Sequence, residues 1–144
     1  MLRSILWISL LLLITLVGCE SVEGEIAPVS GRITLDGMPL VNAAITFQPV
    51  AEGNSPPARI GSYGRTNAQG EFELRLVDND QLGASVGKHR VTISVAQPGQ
   101  GDEAILTADE RLPRKFRDGT ETFRVPTAGT TQANFSLQGV VEGE

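Results

Sequence analysis

Cys19 is the residue whose surroundings most clearly predict covalent chemistry. It is the only cysteine of the chain, and Leu16, Val17 and Gly18 directly precede it. Among ordinary side chains a thiol supplies the strongest nucleophile at neutral pH, and a small residue such as Gly18 fits a narrow scissile pocket. The pattern predicts modification of the Cys19 sulfur next to a cleavage point after Gly18.

Residues 1–18 have the composition of a secretory signal peptide. Arg3 supplies a positively charged start, and residues 5–17 form an apolar run in which only Ser9 and Thr15 are polar. A helix that spans a bilayer needs roughly 20 apolar residues, so this run is too short to remain as an anchor.

Leu16-Val17-Gly18-Cys19 resembles the lipobox of bacterial lipoproteins at every position. The resemblance implies that the Cys19 sulfur accepts a diacylglycerol by a thioether bond, and that signal peptidase II, recognising Leu16, Val17 and Gly18, cuts before Cys19. The mature protein is then expected on the extracytoplasmic side of a membrane, in the periplasm or outer cell envelope. The alternative is an ordinary signal peptide with a cysteine there by chance.

His89 is the only histidine, and it lies in phase with Val91 and Ile93 on one face of a predicted strand. The phase predicts an imidazole that fills space and meets at most one polar partner. No nucleophile pattern can be built on the serines, because they share this single base: Ser62, Ser85, Ser94 and Ser136. A hydrolase resting on His89 and carboxylates is the enzyme alternative. A zinc site would need unusual carboxylate ligation.

Asp78-Asn79-Asp80 followed by Gly83 faintly resembles a calcium-binding loop. Leu82 stands where a third oxygen ligand is needed before the glycine, so a solvated turn is the preferred interpretation. We predict no cofactor and no metal.

A basic stretch lies between residues 111 and 117, in Arg111, Arg114, Lys115 and Arg117. It offers a contact for an anionic polymer or a membrane surface. A solvated loop balanced by Asp109, Glu110 and Asp118 is the preferred interpretation.

Composition excludes several classes of function. The formal net charge is −5, and removal of residues 1–18 takes away Arg3 and no acid, which leaves −6. An acidic surface disfavours a phosphate backbone, so we expect no nucleic-acid partner. With a single cysteine the exported part has no disulfide framework, but a domain of about 110 residues can build a sufficient core without one.

Seven short segments alternate between apolar and polar residues and are separated by polar turns, which predicts an all-β fold. These segments are residues 29–35, 44–49, 60–66, 71–76, 89–95, 120–125 and 133–137. Asp36-Gly37 and residues 67–70 predict tight turns. The predicted organisation is a lipoprotein signal peptide (1–18), an acidic tether (19–28), a β-sandwich (29–138) and a C-terminal tail (139–144).

Four segments resemble carboxypeptidase regulatory-like domains. Residues 29–43 (VSGRITLDGMPLVNA) resemble their opening, residues 66–72 (TNAQGEF) a hairpin, and residues 86–93 (VGKHRVTI) a later strand. Residues 112–116 (LPRKF) resemble a segment of small bacterial lipoproteins that carry this module. Two positions depart from the pattern: Asn42 stands where glycine is common, and His89 where tyrosine is.

The resemblance implies a seven-stranded antiparallel Greek-key sandwich, transthyretin-like or Ig-like, without catalysis of its own. Transthyretin-like hydrolases keep several histidines and a C-terminal Tyr-Arg-Gly-Ser, and residues 138–144 (QGVVEGE) contain nothing similar. We expect a binding or structural module of the cell envelope, with the membrane and an envelope protein or polysaccharide as partners. The alternative is a small-ligand or glycan accessory protein that uses loops 50–59 and 97–117, although a single tyrosine, Tyr63, gives sugars little stacking surface.

Overall fold

Short strands are the main regular structure in the part of the chain that the structure describes. The computed structural model describes residues 24–58, 60–95 and 111–140, and within these ranges the chain forms eleven strands and one single-turn helix. The strands are β1 Ile26–Ala27, β2 Ser30–Leu35, β3 Met38–Pro39, β4 Ala44–Pro49, β5 Ser62–Arg65, β6 Glu71–Glu73, β7 Arg75–Leu76, β8 Ala84–Ser85, β9 Gly87–Ser94, β10 Glu121–Val125 and β11 Phe135–Leu137, and the helix is α1 Arg114–Arg117. The predicted all-β class is confirmed.

The larger sheet has five antiparallel strands in the order β10-β9-β4-β5-β7. Its longest pairing joins β4 to β9, from Ala44 opposite Ser94 to Pro49 opposite His89. Alternate side chains of both strands are buried, Phe47 among them, and their neighbours face outward. The alternation in the sequence therefore predicts the two faces of this sheet correctly.

The second sheet is built around β2, which pairs with β11, β3 and β6. The β2–β11 pair is parallel, which corrects the wholly antiparallel arrangement predicted from the sequence. The direction follows from where the chain turns after β10. The Thr130 N–H donates to the Pro28 carbonyl, and the Ser30 N–H donates to the Thr130 carbonyl. The chain therefore re-enters this sheet beside the start of β2 and runs along it in the same direction.

The predicted strand at residues 71–76 is divided between the two sheets. β6 pairs with β2, whereas β7 pairs with β5, and the fully buried Leu74 lies between them. β5 and β6 approach closely because Gly64 has no side chain. A Cβ at Gly64 would lie 2.7 Å from the Glu73 carbonyl oxygen, closer than a real Cβ comes.

The inner faces of the two larger sheets contribute to one buried apolar cluster. Phe135 of β11 lies among four other phenylalanine rings, with centroid distances of 6.3 Å to Phe47, 6.5 Å to Phe72 and 5.9 Å to both Phe116 and Phe123. In the described part of the chain the buried apolar side chains all lie between Ala27 and Leu137. A chain that begins at residue 19 thus keeps this entire core.

Helix α1 lies in the segment 97–117 that the sequence predicts as loop. It is a single turn after Pro113, closed by the Asp118 N–H donating to the Arg114 carbonyl at 2.7 Å. Four of the seven residues from 111 to 117 are basic, so the sequence shows no clear helical repeat of apolar residues there. In the structure, Leu112 and Phe116 are both buried in the core. Residues 96–110 of the predicted loop lie outside the described ranges.

Both ends of the domain extend past the predicted boundaries. β1 lies inside the predicted tether 19–28 and pairs with β8, and its Ala27 is buried. At the other end, the Gly139 N–H donates to Asp36 Oδ1 at 2.8 Å, so the start of the predicted tail 139–144 is bound to the fold. Alternation cannot detect a strand of two residues.

The two predicted tight turns are present. Asp36-Gly37 joins β2 to β3 with positive φ at both residues, 52° and 80°, as two-residue hairpins prefer. In the turn before β6, Gly70 has a φ of +73°, which L side chains rarely adopt. Asn67 acts there through its side chain, because Oδ1 accepts hydrogen bonds from the N–H groups of Gln69 and Glu71.

Candidate functional site

His89 lies on the inner face of β9 and is completely buried. Its Nδ1 is 3.1 Å from the Gly87 carbonyl oxygen, which can only accept, so Nδ1 carries the proton. Nε2 is then the acceptor for the Ser85 hydroxyl at 3.1 Å. Sequence reasoning predicted at most one polar partner, and the structure corrects this to two.

Burial lowers the pKa of His89 below its ordinary value of 6.5, because a charged imidazole loses its hydration in the core. The Gly87 carbonyl and the charge of Glu52 oppose this shift but are the smaller effects. The imidazole is therefore neutral at pH 7, and its ring packs 5.6 Å from that of Phe47.

Ser85 and His89 are spaced like a nucleophile and its base, a pairing that sequence reasoning missed. Two features argue against catalysis by this pair. Both side chains are buried, so a substrate has no path to the hydroxyl. Nδ1 is oriented by a backbone carbonyl, whereas a catalytic imidazole is usually stabilised by a carboxylate at this atom. The hydrogen bond between Ser85 and His89 links β8 to β9.

The acidic and amide side chains of the predicted turn at residues 78–83 are bound within the protein, in part by residues of β5 and β7. The Asp80 carboxylate accepts a hydrogen bond from the Tyr63 hydroxyl at 2.7 Å and pairs with Arg75 at 3.4 Å. Asn79 Oδ1 accepts from the Gln81 N–H. Within residues 24–58, 60–95 and 111–140, no group of three or more His, Cys, Asp or Glu side chains could hold a metal ion.

Two residues of the basic stretch around α1 pair with acids other than those predicted. Arg111 lies 3.9 Å from Asp36, and Lys115 lies 2.8 Å from Glu121. Asp36 lies in the distant turn between β2 and β3, whereas Glu121 begins β10, shortly after α1. Of the predicted partners, Asp109 and Glu110 lie outside the described residues.

A groove with a volume of about 1000 Å³ lies where β5 and β6 bring the two sheets together. Its walls are outward-facing side chains of β2, β5, β6 and β7 with residues in and next to β11. They include three arginines, three acids and one tyrosine: Arg32, Arg65, Arg75, Glu71, Glu73, Asp80 and Tyr63. Sequence reasoning missed this site, because alternation shows that these residues face outward but not that they face one another.

One wall of the groove is fixed by an ion pair between β2 and β6. Arg32 donates to Glu71 at 2.7 Å, and both side chains are about half exposed. The hydrogen bonds from Arg32 and Asn67 lower the pKa of Glu71 below its ordinary value. The Arg32 N–H also donates to Asn134 Oδ1 at 2.9 Å. Side chains tied in this way keep one orientation before a ligand arrives.

The opposite wall is fixed by Asp80. The Tyr63 hydroxyl donates to this carboxylate, and the hydrogen bond and the negative charge raise the pKa of Tyr63. Arg65 is held differently, since its Nη1 donates to the carbonyl and Oδ1 of Asn42 at 3.2 and 2.9 Å. Arg65 has no acidic partner in the part of the chain that the structure describes.

The loops predicted to bind a small ligand do not form this groove. None of its lining residues comes from segment 50–59, and most of segment 97–117 lies outside the described ranges. Most of the residues that line the groove lie on strands, which hold side chains more rigidly than loops do.

The remaining predicted site residues lie in the N-terminal segment. Cys19, Leu16, Val17 and Gly18 are outside the described residues, so lipidation and cleavage stay predictions. Within the described ranges, no helix is long and apolar enough to cross a bilayer. A fold hosts many unrelated functions, so function has to be argued from the groove and the sequence motifs. No protein-family profile, curated protein or solved structure matches the chain.

Proposed function

We propose that this protein is a lipid-anchored, extracytoplasmic binding module of the bacterial cell envelope with no catalytic activity of its own. The anchor is argued from Leu16-Val17-Gly18-Cys19 at the end of a short apolar run. The binding role is argued from one observation, the groove of about 1000 Å³ whose charged side chains are held in place by each other. The buried Ser85–His89 pair supports the absence of catalysis.

We infer further that the domain is a seven-stranded Greek-key sandwich of the transthyretin-like type. Each of the seven predicted segments overlaps at least one observed strand, and the additional strands β1, β3 and β8 are only two residues long. Rings from both larger sheets meet in one core, as between Phe47 and Phe135. This arrangement is expected when two sheets pack face to face.

Asn42 supports the resemblance to carboxypeptidase regulatory-like domains. Its φ is +57°, in the left-handed region that asparagine tolerates and glycine adopts freely. A position with this backbone angle explains why similar domains commonly carry glycine there. Asparagine at position 42 therefore keeps the backbone angle that glycine would adopt there, and its side chain also accepts a hydrogen bond from Arg65.

Site-specific photo-crosslinking in cells that make the full chain tests the binding role. The crosslinker replaces Glu73, which lies in the groove and whose carboxylate has no hydrogen-bond or ion-pair partner among the described residues. The control position is Thr122 on β10, which is exposed and lies outside the groove.

We expect a discrete adduct from position 73 and none from position 122. Adding Arg32→Ala, which removes one wall of the groove, should weaken the adduct at position 73 severalfold. Equal labelling from both positions, or labelling that is unaffected by Arg32→Ala, contradicts a binding role for the groove.

A further inference from the structure

The groove is balanced in charge. It contains three guanidinium groups and three carboxylates, and four of these six groups form two ion pairs, of which Arg32 with Glu71 joins β2 to β6. Arg75 is likewise paired with Asp80. A densely anionic ligand would gain the attraction of three arginines but meet the repulsion of three acids. The balance therefore favours a ligand that is polar and uncharged.

The groove offers hydrogen-bond donors and acceptors side by side. A guanidinium group has five N–H donors, and each arginine of the groove uses only some of them within the protein. The carboxylates keep unused lone pairs, and neutral side chains add amides and hydroxyls: Asn134, Ser30, Thr34, Thr131 and Ser136. Hydroxyl groups both donate and accept, so a chain rich in hydroxyls matches such a mixed surface.

Tyr63 adds one fixed aromatic face. It is the only tyrosine in the chain, and 42% of its surface is exposed. The hydrogen bond to Asp80 sets the position of the ring, so its exposed side needs no reordering on binding. A single ring does not stack a row of sugars, but it can pack against the C–H face of one sugar while the polar side chains bind its neighbours.

The groove is large and open enough to hold an extended chain. Its volume of about 1000 Å³ is at the upper end of the ~300–1,000 Å³ that hold drug-sized ligands. The lining side chains lie on the exposed surfaces of strands, so the ligand does not need to be enclosed. An extended polymer can therefore lie across the groove.

We propose that the groove binds a neutral glycan chain, with Tyr63 packed against one sugar ring and the arginines and carboxylates hydrogen-bonded to the hydroxyls. The inference rests on the proposed binding function and specifies its ligand class. The lipid anchor is not needed for binding. The groove can thus be tested separately from membrane attachment.

Isothermal titration calorimetry and affinity gel electrophoresis provide the test. The protein is the chain beginning at residue 19 with Cys19→Ser, which keeps the whole described core. The probes are neutral polysaccharides (dextran, galactomannan, xylan and a soluble β-glucan), with polygalacturonate as the acidic comparison.

We expect at least one neutral polysaccharide to bind. Tyr63→Ala should weaken that binding by at least about tenfold, whereas Tyr63→Phe, which keeps the ring, should retain most of it. Arg32→Ala should also weaken binding, while Arg90→Ala, an exposed arginine on β9 outside the groove, is the matched control and should leave it unchanged.

The salt dependence of binding distinguishes a neutral glycan from an acidic ligand. Raising NaCl from about 0.1 M to about 1 M shortens the Debye length from about 10 Å to about 3 Å, so an electrostatic complex weakens strongly. Binding of a neutral glycan should change little.

Three outcomes overturn the proposal. They are no binding by the folded protein to any neutral polysaccharide, binding that Tyr63→Ala does not weaken, and binding to polygalacturonate alone that salt abolishes. If the crosslinker at position 73 still captures a partner in cells, the groove is a binding site for another ligand class. In that case the proposed function survives and the glycan inference does not.

Discussion

At the scale of single residues, His89 couples the fold to pH. The folded protein holds the imidazole neutral between Ser85 and Gly87, and burial keeps its pKa below 6.5. In the unfolded chain the same group takes up its proton near pH 6.5. As the pH falls below about 6.5 the unfolded state binds a proton before the folded state does, so the folded state loses stability. Above that pH the contribution of His89 is complete.

We predict that the free energy of unfolding decreases as the pH is lowered from about 7.5 to about 5.5, and that His89→Phe makes this dependence nearly flat. The variant loses two hydrogen bonds and should be less stable at every pH, but it no longer titrates. Denaturant unfolding at a series of pH values measures the effect, with Ser85→Ala as a control that keeps the imidazole. The same slope in the parent protein and His89→Phe would assign the dependence to another group.

At the scale of elements, β6 shows how one strand serves both the core and the groove. Phe72 points inward, is buried, and its ring stacks 6.5 Å from that of Phe135. Its neighbour Glu73 points outward into the groove. The register of β6 against β2, with Gly31 opposite Phe72, decides which residue has which role.

Substitutions at these two positions test that register. Phe72→Ala should lower the free energy of unfolding by about 3–5 kcal/mol, because it leaves a cavity in the core. Glu73→Ala should change it by less than about 0.5 kcal/mol, because the side chain is exposed. Urea unfolding monitored by circular dichroism gives both values. Similar losses for the two variants would show that the register is wrong.

Alternation predicted which side chains of these strands are buried, because burial on one face repeats every second residue. It did not predict their partners, since pairing depends on distant segments. The sequence therefore gives no sign that residues 71–76 divide at Leu74 or that β11 runs parallel to β2. The one-turn helix α1 is too short to show a period.

The groove could not be predicted from the sequence either, because it depends on which strands lie next to each other. Tyr63, Arg65, Glu71 and Glu73 are each recognisable as outward-facing, but their meeting depends on Gly64 allowing β5 to approach β6. His89 was correctly placed on the inner face. Its second partner was missed because Ser85 lies in β8, a strand of two residues.

At the scale of the whole molecule, the proposed anchor and the groove are separate parts. Cys19 precedes the described domain, and β1 joins the chain to the fold by pairing with β8. Membrane attachment should therefore depend on the Cys19 sulfur and not on the groove.

We predict that Cys19→Ser moves the protein from the membrane fraction to the soluble fraction of the envelope. One acyl chain binds a bilayer only marginally and two bind stably, so removal of the thioether should release nearly all of it. Fractionation after a carbonate wash measures the distribution, with Ser21→Ala as the control that keeps the thiol. Retention of Cys19→Ser in washed membranes would falsify the anchor.

The route from the tether to the groove is short. After β1 only Pro28 and Val29 precede β2, the strand that carries Arg32 on the wall of the groove. With the proposed anchor at Cys19 and the proposed polymer in the groove, we expect tension between the two to run along β2. The hydrogen bonds from β2 to β6 on one side and to β11 on the other lie across that direction, so they share the load in shear and do not open one after another. We therefore expect a pull between the proposed anchor and the proposed ligand to act on a strand that is hydrogen-bonded on both sides.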